Sequence, residues 1–415
     1  MSNSSIRLFL IAPNVSAQMG GEAIKALQIL EQLHSLIGDV TQITHARNKA
    51  ELTQHPLAAR IQYLEDNWFD RFLWRSVGLR AFMTPWFSYR AIKRAEALAA
   101  TMRDDKQVII HQTEPNSPVA ARWTSARFKN VFGPINGNIY YPKAFRKFES
   151  AGAKIRRLLH FPLQMFNRIF WRGIANADLV LAAGGERTIR SLRAAGVPLD
   201  RIYETLDCGV PNSLSQAAHL PSRAAIGRFL HFGRLVFHKG TYLAIEAVAQ
   251  SHQAVTLDIV GRGPELSRCK SLAKDLAVED RVRFLDWYEN RADLVASFRN
   301  YCGIILPSIE DANGIVVQEA MTVGLVPICL DWGGPQLLID DGISGYLVAP
   351  DRLAEIPTRM AQCLNQLAED PALVTAMSAK AVARAAEWNW TQLSSDWVRC
   401  YYTLGPAARK PQTRP

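Results

Sequence analysis

Short apolar runs that turn at glycine or proline and lead into amphipathic stretches recur along the chain. The first spans Ile6 to Leu33: a strand ends at Pro13, and Ala23, Leu27, Leu30 and Leu33 then recur at helical spacing. The second spans Phe229 to Gln250, with Leu243, Ala247 and Val248 on one helical face. Further apolar runs at Val108 to Ile110, Asn130 to Phe132 and Leu179 to Ala182 alternate with helical segments in the first half. Val255 to Val260, Val282 to Leu285, Gly303 to Leu306 and Val326 to Leu330 do the same in the second. Such alternation predicts α/β architecture, with parallel sheets covered by helices on both faces, and two separate openings predict two doubly wound, Rossmann-like domains. A stretch rich in Gly, Pro, Asn and Ser between Asp207 and Ala224 marks the join. The expected division is 1–210, 211–388, a last helix over 389–404, and a Pro-rich basic tail over 405–415 read as disordered.

Composition fits this picture. With 415 residues, 48% hydrophobic and 21% charged, the chain is too long for one compact core and too apolar for a disordered one. The excess of 48 Lys and Arg over 38 Asp and Glu gives a net charge of +10 and points to anionic partners: phosphorylated metabolites, acidic membrane surfaces or nucleic acid. The six cysteines stand far apart without a CxxC pair, so they read as free thiols and no metal site is expected. Leu8 to Ala12 is too short for a signal-peptide core, and no apolar run reaches the roughly 18 residues of a membrane span. A cytoplasmic location is expected.

Three stretches carry candidate chemistry. In Phe232 to Gly240, Gly233 and Arg234 close a strand while Lys239 and Gly240 open a helix. Free helix-start amides and two cations there suit a diphosphate, and a solvated loop is the plain alternative. Leu257 to Leu266 runs a strand into Gly261 and Gly263, a Gly-x-Gly turn that by itself establishes no dinucleotide site. In Pro307 to Val348, Glu310 and Asp311 follow a strand and Glu319 lies on the next helix, whose Val316/Ala320 and Val317/Met321 pairs are expected to face the core. Carboxylates sharing one strand-end crevice would accept hydrogen bonds from the hydroxyls of ribose or hexose.

Taken together, the early Gly20-Gly21 turn, GRLVFHKG, VGRGP and the acidic segment ending EAMTVGLVP resemble, in order, the family 4 glycosyltransferases. The resemblance implies the GT-B fold, two Rossmann-like domains facing a central cleft, and retaining, metal-independent transfer of a hexosyl group from a nucleotide sugar. It implies that Arg234 and Lys239 hold the donor diphosphate, with Gly233, Gly261, Gly263 and Gly314 in the loops around it. Glu319 would hold the ribose and Glu310 or Asp311 the sugar. Gly20 and Gly21 would let the first domain close on the reacting centre. The family spacing of eight residues before Glu319 falls on Asp311, and Glu310 precedes it by one. His111 at a strand end corresponds to a sugar-contacting histidine, although Thr113 stands where that histidine directly precedes the Glu-Pro pair. Asp286 and Trp287 stand where many members have glycine. No cofactor is implied beyond a UDP- or GDP-sugar as substrate, and the leaving phosphate would take the acceptor's proton without a protein nucleophile.

Lys143 to Arg172 holds eight Lys and Arg against only Glu149, interleaved with Phe, Leu and Trp, and Trp68 to Arg94 repeats the blend. Basic, aromatic amphipathic segments can lie on anionic bilayers. The acceptor is therefore expected to be a saccharide or a lipid-linked one, the pathway surface polysaccharide or glycolipid assembly, and the place the inner face of the plasma membrane. The readings set beside this are a GT-B epimerase or phosphorylase, and a non-catalytic binder of membrane or nucleic acid, to which only the charge points.

Overall fold

The computed structural model describes residues 5–18, 21–75, 79, 82–102, 105–137, 140–288 and 290–404. Gly20 and the tail 405–415, both singled out in the sequence, lie outside the described residues.

Two parallel sheets organise the chain. The first contains β1 (Ile6–Ile11), β2 (Val40–His45), β3 (Ile61–Leu64), β4 (Gln107–Gln112), β5 (Lys129–Asn136), β6 (Leu179–Ala183) and β7 (Ile202–Glu204), in the order β3-β2-β1-β4-β5-β6-β7. The second contains β8 (Arg228–Phe232), β9 (Thr256–Val260), β10 (Val282–Leu285), β11 (Gly303–Leu306), β12 (Val326–Leu330) and β13 (Tyr346–Val348), in the order β10-β9-β8-β11-β12-β13. Strands such as IRLFLI of β1 and VPICL of β12 are buried along their whole length, because helices cover both faces of a parallel sheet. In each sheet the strand order reverses beside the first strand, at β1/β4 and at β8/β11, and ligands of doubly wound folds bind at the carboxyl edge of such a switch point.

The helices bury the expected faces, with one change. Ala23, Leu27, Leu30 and Leu33 are buried on Gly21–Ile37, and Leu243, Ala247 and Val248 on Thr241–Ala249. On Ile315–Thr322, Val317, Ala320 and Met321 are buried as expected, but Val316 is only half-buried while Gln318 and Glu319 are enclosed. The buried arc of this helix is therefore wider than its apolar stripe.

Contacts divide the chain into one unit of residues 1–138, 155–207 and 391–415 and another of 139–154 and 208–390. Residues 139–154, which the alternation assigns to the first half, pack with the second unit: Phe145 is fully buried among Leu235, Leu243 and Ile309. The helix Trp390–Thr403 belongs to the first unit through Trp397, whose indole donates to Thr205 Oγ1 at 3.0 Å, and through Tyr401.

The six cysteines are free, and Cys269, Cys302 and Cys329 are buried. Burial pushes the Cys302 thiol up to about 12, which makes it a packing group and not a nucleophile.

Candidate active site

The second unit gathers most of the candidates at one sheet edge. Since β8, β9, β11 and β12 run parallel, the loops leaving their carboxyl ends meet there, and backbone bonds lock them together. Gly233 N donates to Val260 O at 3.1 Å, Leu235 N to Arg262 O at 2.9 Å, Ile309 N to His238 O at 2.9 Å and Gly334 N to Asp311 O at 2.9 Å.

This interlocking gives two of the glycines a packing role. A Cβ at Gly261 would stand 2.1 Å from Gly233 O, and one at Gly263 2.2 Å from Leu235 O. Protein backbone stands where a side chain at either position would lie, so packing requires glycine at both. Gly233 does face open space, with nothing within 4 Å of its Cβ position, and so does Gly21 at its helix start. Gly240 caps Thr241–Ala249 at φ +69°, where a side chain would also collide with Pro307 O, so glycine is required there. Gly314 caps Ile315–Thr322 at φ +63°, next to Leu338.

The charged groups converge. Lys239 Nζ stands 2.7 Å from Asp311 Oδ2, and Asp311 Oδ1 accepts from Gly314 N at 2.9 Å. Asp311 thus holds a cation with one oxygen and a helix-start amide with the other, whereas Glu310 is half-buried and neither of its oxygens has a hydrogen-bond or ion-pair partner among the described residues. Arg234 is exposed and has no ion-pair partner among the described residues. His238, not singled out in the sequence, lies among all four. Burial lowers its pKa, Glu310 and Asp311 oppose that, and Lys239 and Arg234 reinforce it. Glu319 is 6% exposed on the helix that Gly314 opens.

Two aromatic residues also border this cluster. Trp287, noted only as a replacement for glycine, stacks on Phe232 at 5.0 Å between ring centroids. Tyr141, from the segment that joins this unit, has its hydroxyl pKa raised by burial and then by Glu310 and Glu149. That segment is pinned by Trp332, whose indole donates to Tyr140 O at 3.0 Å, and by Phe148 against Phe237.

The first unit departs from expectation at His111. The ring is fully buried: Nε2 donates to Gly133 O at 2.7 Å and Nδ1 accepts from Tyr401 Oη at 2.8 Å. Burial lowers its pKa to about 4, so it is a neutral, doubly bonded core histidine with no atom left for a sugar. His231 on β8 repeats the arrangement, donating from Nδ1 to Ile305 O and accepting at Nε2 from Thr241 Oγ1.

The polar cluster of the first unit lies just beyond. Glu114, in the loop after β4, is 4% exposed with Oε1 unpaired, and its pKa is raised to about 7 by burial and then by Glu22. Around the same sheet edge Asn116 Nδ2 donates to Glu22 Oε1 at 3.1 Å and Asn136 Nδ2 to Asp207 Oδ2 at 3.0 Å, with Lys25 Nζ 3.7 Å from Asp207. Only the burial, which the sequence does not display, distinguishes Glu114 from an ordinary loop glutamate.

Glu114 makes a testable contribution to stability. Its folded pKa lies above the unfolded value near 4.5, so the folded state holds the extra proton and stability falls as pH rises from about 4.5 to 7. Glu114→Gln is expected to be more stable than wild type at pH 8, by at most about 3 kcal/mol, with no advantage at pH 4. Denaturant titrations at the two pH values measure the difference, and a gap independent of pH would refute the assignment.

Residues 226–384 match the family described as Glycosyl transferases group 1. The chain is 28% identical over 264 residues to a D-inositol 3-phosphate glycosyltransferase of Corynebacterium jeikeium, an alignment covering 58% of this chain and 61% of the relative. It is 26% identical over 202 residues to a glycogen synthase of Mycobacterium tuberculosis, covering 48% and 47%. The alignments thus span about half to three-fifths of the length of these curated relatives. Among solved structures, Anabaena HepE in complex with UDP superposes with a TM-score of 0.62 at 18% identity, covering 96% of this chain and 100% of that one. The apo lipopolysaccharide outer core galactosyltransferase WaaB gives a TM-score of 0.66 at 17% identity, covering 96% and 99%. The fold is therefore that of the GT-B glycosyltransferases. Within it, the matched residues 226–384 all lie in the second unit.

Proposed function

We propose that this chain is a retaining, metal-independent glycosyltransferase that moves a hexosyl group from a UDP-sugar to a saccharide or lipid-linked acceptor. Surface polysaccharide or glycolipid assembly at the inner membrane face is the setting proposed. The observation that carries the reading is the convergence of Arg234, His238, Lys239, Glu310 and Asp311 on one carboxyl edge within the glycosyltransferase domain.

Arg234 and Lys239 would neutralise the diphosphate, with the amides that start Thr241–Ala249 beside them. Glu319 would accept from the ribose hydroxyls, and Glu310, whose oxygens have no partner among the described residues, from the sugar. The Phe232–Trp287 stack offers an aromatic face for the base. The leaving phosphate oxygen would take the acceptor's proton as the acceptor attacks the face that the phosphate leaves. The polar cluster around Glu114 in the first unit would hold the acceptor. The UDP complex of HepE supports the choice of donor base.

Calorimetric titration of UDP, GDP, ADP and their hexose conjugates tests the reading. UDP is expected to bind, and Glu319→Ala to weaken it about 10- to 100-fold by removing a charged acceptor. A folded chain that binds no nucleotide of the panel would overturn the assignment.

A further inference from the structure

Residues 155–172 of the first unit face the wrong way for a helix packed on a soluble core. Only His160, Gln164 and Asn167 are buried on this stretch. These polar side chains are bonded to the unit: Gln164 Nε2 to Pro118 O at 3.1 Å and Ser191 Oγ at 2.7 Å, His160 Nε2 to Ser191 Oγ at 2.8 Å, and Asn167 Nδ2 to Val119 O at 3.1 Å. The apolar side chains are turned outward, with Leu158 69% and Phe170 72% exposed. Amphipathic helices of globular domains do the reverse.

A run of exposed and half-buried rings extends this face. Trp171 meets Trp123 at 5.1 Å between centroids, Trp123 meets Tyr89, Tyr89 stacks on Trp86, Trp86 contacts Phe69, and Phe69 contacts Trp68, which is 73% exposed. The two basic, aromatic segments of the sequence are thus joined by an unbroken chain of rings. Between 155 and 172 stand four arginines and no acid, and Arg156, Arg168 and Arg172 are exposed without an ion pair among the described residues.

We propose that this face is a monotopic docking surface for an anionic lipid bilayer, on which residues 155–172 lie flat with their apolar side chains among the acyl chains and their arginines at the headgroups. Among the described residues no helix is long and apolar enough to cross a membrane, which fits lying on it. The charge selects the partner: a second copy of this face would set arginine against arginine, and nucleic acid would leave the leucines and phenylalanines unused. The surface deepens the proposed function by presenting the first unit to a lipid-linked acceptor.

The test is flotation with phosphatidylcholine vesicles, with and without one part in four of phosphatidylglycerol, alongside calorimetry with UDP. Wild type is expected to float with the anionic vesicles and to be released by salt. Arg156→Gln with Arg168→Gln is expected to lower that affinity roughly 30-fold. Leu158→Asp with Phe170→Asp is expected to abolish flotation. Both substituted pairs are exposed, and each variant should keep wild-type UDP affinity. Failure of wild type to float, or flotation unaffected by the aspartates, would overturn the surface. So would a dimer in sedimentation that the aspartates dissolve while no vesicle is bound. Flotation without UDP binding would sink the catalytic reading and leave the docking surface standing.

Discussion

Lys239→Ala is expected to lower turnover by about two to three orders of magnitude, measured as sugar transfer at saturating donor. The lysine is the cation fixed deepest in the constellation: the turn at Gly240 holds its backbone, and Asp311 holds its ammonium 2.7 Å away. The loss should fall on turnover because charge grows on the departing diphosphate as the glycosidic bond breaks. Folding should survive, since a pair with both side chains about a quarter exposed contributes no more than about 1 kcal/mol. Asp311→Asn is the informative companion. It keeps an oxygen for Gly314 N and removes the charge held against Lys239, whereas Asp311→Ala would also untie the start of the Ile315–Thr322 helix. Turnover by Lys239→Ala close to that of wild type would take the lysine out of the diphosphate role.

Acid is expected to weaken the fold through two histidines that the mechanism does not use. His111 and His231 are buried, neutral and bonded at both ring nitrogens, with pKa values lowered to about 4. Their unfolded values lie near 6.5, so the unfolded chain takes up the protons first. Stability is full above about pH 6.5 and is lost as pH falls toward 4. At pH 5 each should cost about 2 kcal/mol. Urea unfolding between pH 7 and pH 5 measures the loss, and ring-proton NMR identifies its source: a shift titrating near pH 6.5 in the folded chain would rule that histidine out.

What the sequence reveals of this fold follows from where side-chain pattern decides structure. Fully buried strands such as β1, β11 and β12 show as apolar runs because both of their faces are covered. The strands that carry no such run are β2, where the buried Gln42 donates from Nε2 to Ile43 O, and the short, partly exposed edge strands β3, β7 and β13. The loops with Arg234, Lys239, Glu310 and Asp311 are legible because glycine and charge stand together at strand ends. His238 is hidden within the same motif, and Glu114 and the role of His111 are hidden altogether, since each depends on a neighbour distant in sequence. His111 looks like a ligand-facing residue until Tyr401, 290 positions later, occupies its second nitrogen. Residues 155–172 show the opposite case. Their composition is readable, but the direction of their polar stripe is set by Pro118, Val119 and Ser191.

The division of the chain also governs how it can be cut and recombined. The backbone passes from one unit to the other four times, after residues 138, 154, 207 and 390. A fragment ending at residue 207 would leave behind the helix Trp390–Thr403 and take with it Phe145, which the other unit needs in its core. A nick in any single linker should therefore leave two pieces that still complete each other, and a grafted second unit must be spliced at all four crossings. The units are heritable together, and new specificities are more accessible through loop changes within the whole chain than through exchange of its halves.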